Sequence, residues 1–460
     1  MENSTRQTSP FHAGPPAGTR TAGVFPGSRR RTILIALGFA LAGLLIATTM
    51  YAVMTRQSGV RVGGNAPESW PAWGFTQTQN SDVGQQAPAV RAALRQRPVV
   101  QAQAIMGWGA DNPQPAPGPI NFASLDRRIQ LIRDTKGTPS ITLCCAPDWM
   151  KGGPAGTTDW SRLEMAPVPE RFDDFAKLAA EVARRYPDVK HYTVWNEFKG
   201  FWNPQLQRWD YEGYTTFYNK VYTALKNVDE DIKVGGPYMA MNSDAPGYAG
   251  PKSEVRGSWG SLDQRAIDAV RYWMKHKEGA DFMVVDGHTF PVQREIRPNE
   301  FALTAKFADV TRWLRTLDGD LPIWWAEWYI EPDASGWTEQ RRRAVQAVAM
   351  MEFVRGGAST ALYWDPQTTG AGACAGCLWP SATDANGGRP TPVLELLQNF
   401  SRWFKPGSRL AEVTSSNRAV RVLAQDDRML AVNTTDRQIK TEVDGDAIEL
   451  GPYEVRWTKR

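Results

Sequence analysis

Along most of this chain, short runs of β-branched and aromatic residues alternate with longer stretches whose apolar residues recur every three or four positions. The short runs carry the period of a strand and the long ones that of an amphipathic helix. Strands are expected at Trp70–Gln79, Val99–Trp108, Ser140–Cys145, His191–Val194, Ile232–Tyr238, Asp281–His288, Leu321–Glu327 and Ala358–Trp364. Helices are expected between them, at Gln86–Arg97, Ser124–Lys136, Glu170–Tyr186, Tyr214–Asn227, Ser261–Lys277, Phe301–Leu317 and Thr338–Arg355, with a last one through Trp403. Ser124, Thr338 and the pair Ser261 and Gln264 are placed to cap three of them. Eight strand–helix units in succession predict an α/β protein, a closed (β/α)8 TIM barrel over residues 70–404.

The pattern changes at both ends. From 405 to 460 it predicts a small all-β, sandwich-like domain, with strands at Leu410–Val413, Ala419–Ala424, Met429–Asn433, Ile439–Val443 and Tyr453–Trp457. Thr32–Met54 is an uncharged apolar run, long enough for a transmembrane anchor. Residues 1–31 before it, rich in Pro, Gly, Ser and Thr, read as a disordered basic tail, and residues 55–69 as a linker. Charge changes the picture here. The net +4 of the chain is matched by Arg6, Arg20, Arg29, Arg30 and Arg31 against Glu2, so everything beyond residue 31 balances at zero. No basic face remains for nucleic acid. The arginines before the span put the tail in the cytoplasm and the barrel outside the cell membrane. A cleaved signal peptide is the alternative, against which the length of the preceding segment counts.

Two predicted strands end in a carboxylate. The fourth runs into Asn196-Glu197 and then Lys199, Phe201 and Trp202; the seventh ends at Glu327 between Trp325 and Trp328. All parallel strands of a barrel end on one face, so both carboxylates would look into one mouth. A pair roughly 5–5.5 Å apart would support retaining glycoside hydrolysis, one carboxyl as acid and base and the other as nucleophile. The chain holds 19 Trp. Trp149, Trp202, Trp328, Trp337 and Trp364 are candidates for the flat apolar surface on which a pyranose stacks, rim packing being the alternative. His288, at the sixth strand end, either lines the pocket or is a core histidine, and Asp148 either bonds substrate or caps the next segment. Of the four cysteines, Cys374 and Cys377 predict a local disulfide, while Cys144 and Cys145 read as buried thiols. No metal or organic cofactor is implied.

The segments WNEF, DGHTFP and AEWY resemble the clan of glycoside hydrolases whose acid/base Glu follows Asn at strand four and whose nucleophile ends strand seven. They are most similar to glycoside hydrolase family 39, the β-xylosidase and α-L-iduronidase family. The resemblance implies Glu197 as acid/base, Glu327 as nucleophile, Asn196 on the sugar hydroxyl beside the anomeric carbon, and a carbohydrate substrate in an envelope or outside it. One departure stands out. Many relatives carry Tyr where this chain has Phe290, so the hydroxyl that orients the nucleophile is expected to be missing. That absence is the one feature favouring the alternative, a non-catalytic carbohydrate-binding relative.

Overall fold

The computed structural model describes residues 61–78, 81–332, 335–364, 366–367 and 376–460. The tail, the apolar span at Thr32–Met54, residues 55–60 of the linker and Cys374 lie outside them. No helix among the described residues is long and apolar enough to cross a membrane.

Eight parallel strands close into a barrel: β1 (Trp73–Thr76), β2 (Val100–Ala104), β3 (Thr138–Leu143), β4 (His191–Val194), β5 (Lys233–Ala240), β6 (Phe282–His288), β7 (Ile323–Tyr329) and β8 (Thr360–Tyr363), with β8 pairing back onto β1. All eight expected strands are present, four of them (β1, β2, β6 and β8) shorter than their apolar runs. Between them lie the helices α1 (Ala87–Gln96), α2 (Ala123–Asp134), α3 (Phe172–Arg185), α4 (Tyr211–Lys226), α5 (Gln264–His276), α6 (Ala305–Leu317) and α7 (Glu339–Gly356), and α8 (Pro392–Trp403) follows β8. Each turns an apolar stripe to the strands; in α3 it is Phe172, Phe175, Leu178, Ala179 and Val182.

The caps differ in part from expectation. Thr338 does cap α7, accepting from the Arg341 amide. Ser124 lies inside α2 and accepts instead from the Asp111 amide, so it caps nothing. Ser261 belongs to a short strand, Gly260–Asp263, and Asp263 caps α5 through the Arg265 amide. The stop that an Asp side chain offers to a free helical N–H outcompetes the serine two residues earlier.

Period-2 alternation sorts the strand side chains into two layers. Val100, Ala102, Tyr238, Phe282, Val284, Trp324, Ala326 and Leu362 come from strands alone and fill the barrel. Their neighbours, such as Ile141, Val234, Met283 and Trp325, point outward and pack with the helices. Two β-bulges interrupt the alternation. On β5, Tyr238 is the extra residue between Pro237 and Met239, which pair with the consecutive Val284 and Val285. On β7, Ala326 has no partner between Trp325, opposite Val285, and Glu327, opposite Asp286. A bulge re-aims the side chains that follow it.

Beyond α8 the chain forms an antiparallel sheet of β9 (Val420–Gln425), β10 (Arg428–Asn433) and β13 (Val455–Lys459), with a hairpin of β11 (Ile439–Val443) and β12 (Asp446–Leu450). Leu410–Val413 is not a strand; it contributes one bridge, Ala411 to Ala424. β12 was not expected, because its inward positions are few and polar residues surround them. It is set by the Asp444-Gly445 turn, both residues at positive φ as a two-residue hairpin loop requires. Arg355 of α7 donates to the Val422 carbonyl, tying this domain to the barrel's outer layer.

Candidate active site

The C-terminal end of β4 turns sharply. Trp195, Glu197 and Phe198 all have positive φ, at 69, 51 and 57°. Non-glycine residues hold that conformation only where surrounding packing over-determines it. Here the packing is aromatic. Trp195 is buried against Phe175 and Phe217 and donates to the Lys199 carbonyl at 2.7 Å. Phe198 stacks on Tyr214 at 3.9 Å, and Tyr214 donates back to the Val194 carbonyl at 2.9 Å. The turn is thereby clamped to α4, and Glu197 is fixed with Asn196 buried beside it.

Glu327 reaches the same mouth by a different device. In unbroken alternation with Trp324 inward and Trp325 outward, Glu327 would point outward. The bulge at Ala326 returns it to the interior and sends Trp328 out instead, onto Phe307, Phe353 and Tyr363. Trp328, 1% exposed, is therefore packed between strand and helix and offers no surface to a sugar.

The phenolic hydroxyl that Phe290 lacks is supplied from elsewhere. Tyr238 donates to Glu327 Oε1 at 2.7 Å from the bulge of β5. Its backbone sits at φ 51°, immediately after Gly235, Gly236 and Pro237, a local sequence that marks a break in the strand. The expected absence of an orienting hydroxyl is corrected by a tyrosine on β5, the strand next to the β6 that Phe290 follows.

A third carboxyl completes the centre. Asp286 alternates inward with Phe282 and Val284, sits opposite Glu327 in the sheet register, and shares a hydrogen bond with Glu197. Glu197 also pairs with the Lys199 ammonium at 2.6 Å, and Lys199 in turn reaches Glu164. Burial acts to raise the Glu197 carboxyl, but the bond with Asp286 and the charge of Lys199 outweigh it and hold the group below its ordinary value. Burial, then the charge of Glu197, push Glu327 up to about 8 against the bond from Tyr238. Asp286 is raised well above its usual range by burial first and Glu197 second. At rest the negative charge lies on Glu197, and the protons lie on Asp286 and Glu327.

The remaining predicted residues divide. His288 ends β6, where Nδ1 donates to the Phe290 carbonyl at 2.6 Å and the ring stacks on Phe290 at 4.1 Å. Burial, with Lys306 nearby, pushes it down to about 3, so it is neutral at physiological pH. Trp364 follows β8 and meets Trp108, at the end of β2, edge to face at 6.4 Å. Lys199 lies over Trp108 at 6.0 Å, which places both rings near Glu197. Trp202, half-buried in the β4–α4 loop, packs edge-on against Trp209 and lies under Arg265. Trp149 donates to the Gln114 carbonyl and is covered by Arg171, and Trp337 lies under Arg341. Asp148 accepts from the Asp159 amide and pairs with Lys151 at 3.6 Å, which makes it part of its own turn. Cys144 and Cys145 are bonded to each other as a disulfide and are not the free thiols expected. The peptide joining them is cis, which brings their Cα atoms to 2.9 Å. Cys377 is disulfide-bonded as well.

Tyr238, Asp286, Lys199 and Trp108 were not singled out from the sequence. A signal existed for Asp286, two residues before His288 on a strand whose inward positions alternate. For Tyr238 it was the Gly-Gly-Pro break.

An eight-stranded parallel barrel with carboxyls from the ends of β4, β6 and β7 at one mouth is an arrangement suited to glycoside chemistry. Residues 116–250 match the model of glycosyl hydrolases family 39, a span that includes Asn196 and Glu197 and ends before His288 and Glu327. Among solved structures, a monomeric β-xylosidase from Caulobacter crescentus is similar with a TM-score of 0.54 at 15% identity, over 82% of this chain and 76% of that one. SrfJ from Salmonella typhimurium gives 0.56 at 13% identity, over 84% and 88%. A family 39 glycoside hydrolase from Bacteroides cellulosilyticus gives 0.53 at 15% identity, over 81% and 73%. No curated protein sequence matches this chain. The family match over residues 116–250 and a fold held in common with these enzymes bear out the resemblance to family 39.

Proposed function

We propose that this protein is a membrane-anchored retaining glycosidase, with Glu327 as nucleophile and Glu197 as acid/base, acting on a polysaccharide or oligosaccharide of the envelope or beyond it. The observation that carries the reading is the Tyr238 hydroxyl on Glu327 Oε1. A nucleophilic carboxylate must present one oxygen to the anomeric carbon while the other is held, and this bond supplies the hold. In the first step the Glu327 carboxylate attacks and a proton from Glu197 leaves with the aglycone oxygen. In the second, Glu197 takes a proton from water as water displaces the sugar from Glu327. Asn196, buried beside Glu197, is our candidate for the neighbouring sugar hydroxyl, and Trp108, which lies by Lys199, with Trp364 against it, for the surface on which the sugar stacks.

Attack requires Glu327 to be ionised and Glu197 to carry a proton, the reverse of the resting state, so the Glu327 proton passes to Glu197, directly or through water, as substrate binds. A bound oxocarbenium-like sugar brings positive charge beside Glu327 and so favours the ionised form. The Tyr238 bond weakens the case for a non-catalytic relative, since that case rested on a missing hydroxyl. Thr32–Met54 supplies the anchor, and the arginines before it favour an external barrel. The test of mechanism is the configuration of the first-formed product, followed by proton NMR on whichever aryl glycoside the enzyme turns over. Retention is expected, and inversion would remove the covalent intermediate from the account.

A further inference from the structure

Glu197 shares its cation with a second carboxylate. The Lys199 ammonium lies 2.6 Å from Glu197 and 2.5 Å from Glu164, a residue of the β3–α3 loop. A pair between two loops ordinarily contributes little, because two long side chains must be held in one geometry. Here the backbones are held on both sides. Gly200, next to Lys199, sits at φ 79°, and a Cβ there would come within 2.1 Å of the Ala166 amide nitrogen and 2.8 Å of the Glu164 carbonyl. Only glycine permits so close an approach. Just before Glu164, the buried Lys151 ammonium donates to the Arg162 and Leu163 carbonyls at 2.8 and 3.1 Å. The indole of Trp195 holds the other side by donating to the Lys199 carbonyl. The loop that carries Glu164 is thus keyed onto the turn that carries Glu197, and Lys199 stands between them over the Trp108 ring.

We propose that Lys199 and Glu164 are positioning residues of the acid/base: Glu164 is the second partner of the ammonium and keeps it paired while Glu197 holds the proton destined for the leaving oxygen. This rests on the roles proposed above for Glu197 and Glu327. At rest Glu197 is an anion and Lys199 serves both carboxylates. When the Glu327 proton reaches Glu197, that carboxyl becomes neutral and loses most of its hold on the ammonium. The Lys199 side chain is only 34% exposed, so a charge left there without a partner would oppose the transfer. Glu164 removes that opposition. The C–O bond then breaks with its electron pair going to the aglycone oxygen, which takes the Glu197 proton as Glu327 bonds to the anomeric carbon. Glu197 is again an anion against Lys199. In the second step water attacks that carbon, its proton goes to Glu197, and Glu327 leaves as carboxylate. Lys199 relies on Glu164 once more until the proton returns to Glu327. The other ionisable groups facing Glu197 are Tyr238 from β5, Asp286 from β6 and Glu327 from β7, and none of them is a cation. Nothing among these duplicates the charge of Lys199.

NMR of the full-length protein, isotope-labelled at the carboxyl carbon of glutamate, tests this. The Glu197 resonance is the one that Glu197→Gln removes. Lys199→Met should move its titration upward by about one pH unit, and Glu164→Gln should move it downward by about half a unit, because the ammonium then commits to Glu197. Lys199→Arg keeps the charge and should restore most of the parent value. A merely structural role for the two side chains would not give shifts of opposite sign. In the double variant, the shift due to Glu164→Gln should shrink to less than about half, since Glu164 acts through Lys199. A full shift from Glu164→Gln in the absence of Lys199, or no shift from either single variant, overturns the proposal. Kinetics supply the second arm. Glu164→Gln should lose at least about threefold more kcat/KM on aryl glycosides with poor leaving groups than on those with good ones, since only the former need the proton. An equal loss on both overturns it. The control is Glu197→Gln. If that variant shows no leaving-group dependence, the acid/base assignment has failed; if it does and Glu164→Gln does not, only the present proposal has.

Discussion

The two ends of this barrel are lined by the same strands and built on opposite principles. At the end where the strands begin, Trp70, His191, Phe282 and Trp324 fill the interior, with ring centroids 4.5–6.3 Å apart. Nothing there departs from alternation. At the other end, the interior positions hold Tyr238, Asp286, Glu197 and Glu327, and three of the elements that deliver them carry a bulge or a run of positive φ. The closed end stabilises by burying apolar area in regular geometry. The open end spends regularity to bring ionisable groups together, which costs stability and makes chemistry available.

Substitution at each end should separate these contributions. Glu327→Gln should lower kcat on the order of 10⁴-fold or more, as removal of a catalytic group acting in a unit does. Its urea midpoint should stay within about 1 kcal/mol of the parent, since an amide of the same shape replaces a protonated acid. Trp324→Ala should do the reverse, costing about 3–5 kcal/mol of stability with kcat little changed in the protein that remains folded. If Glu327→Gln unfolded the protein, or Trp324→Ala abolished turnover in folded material, the two ends would not be separable in this way.

A milder change probes the mouth alone. Tyr238→Phe removes one hydroxyl and its bond to Glu327, and that bond lowers the Glu327 value. Without it Glu327 keeps its proton to higher pH, so the acid limb of the kcat/KM profile should move upward, with kcat at neutral pH lower by about ten- to a hundredfold. An unmoved acid limb would show that Tyr238 does not hold the nucleophile.

The smallest effect compares two histidines. Burial, with Lys233 adding to it, pushes His191 down to about 4 at the closed end; burial and Lys306 push His288 down to about 3 at the mouth. Both are held neutral, below an unfolded value near 6.5. The unfolded chain therefore takes up protons first, and stability present above pH 6.5 is lost as pH falls through the folded values. Replacing either with Phe should flatten the fall of the urea midpoint between about pH 7 and 5. Only His288→Phe should also change kcat/KM. A change in activity from His191→Phe would mean that the closed end communicates with the mouth.

The same contrast explains what the sequence made legible. The barrel could be read because eight apolar runs of strand length alternate with helical stripes, and the closed end obeys that pattern throughout. Glu197 and Glu327 could be read because each carboxylate ends an apolar run. Trp328 was misplaced and Tyr238 overlooked for one reason: each depends on a bulge, and one inserted residue reverses the face of every side chain after it. Asp286 obeys alternation but lies within a strand otherwise read as core. Cys144 and Cys145 read as thiols in the sequence because adjacent cysteines bond only in a backbone geometry that spacing does not reveal.

The central claim is that Glu327 forms the covalent bond and Glu197 manages the proton. Mass spectrometry of Glu197→Gln after reaction with an activated aryl glycoside tests it most directly. Without its base the variant should hold the intermediate, showing one added sugar on the peptide that contains Glu327, and added azide should release that sugar as the glycosyl azide. A sugar found on any other peptide, or no adduct in a variant that still cleaves the activated substrate and is not rescued by azide, would contradict the account.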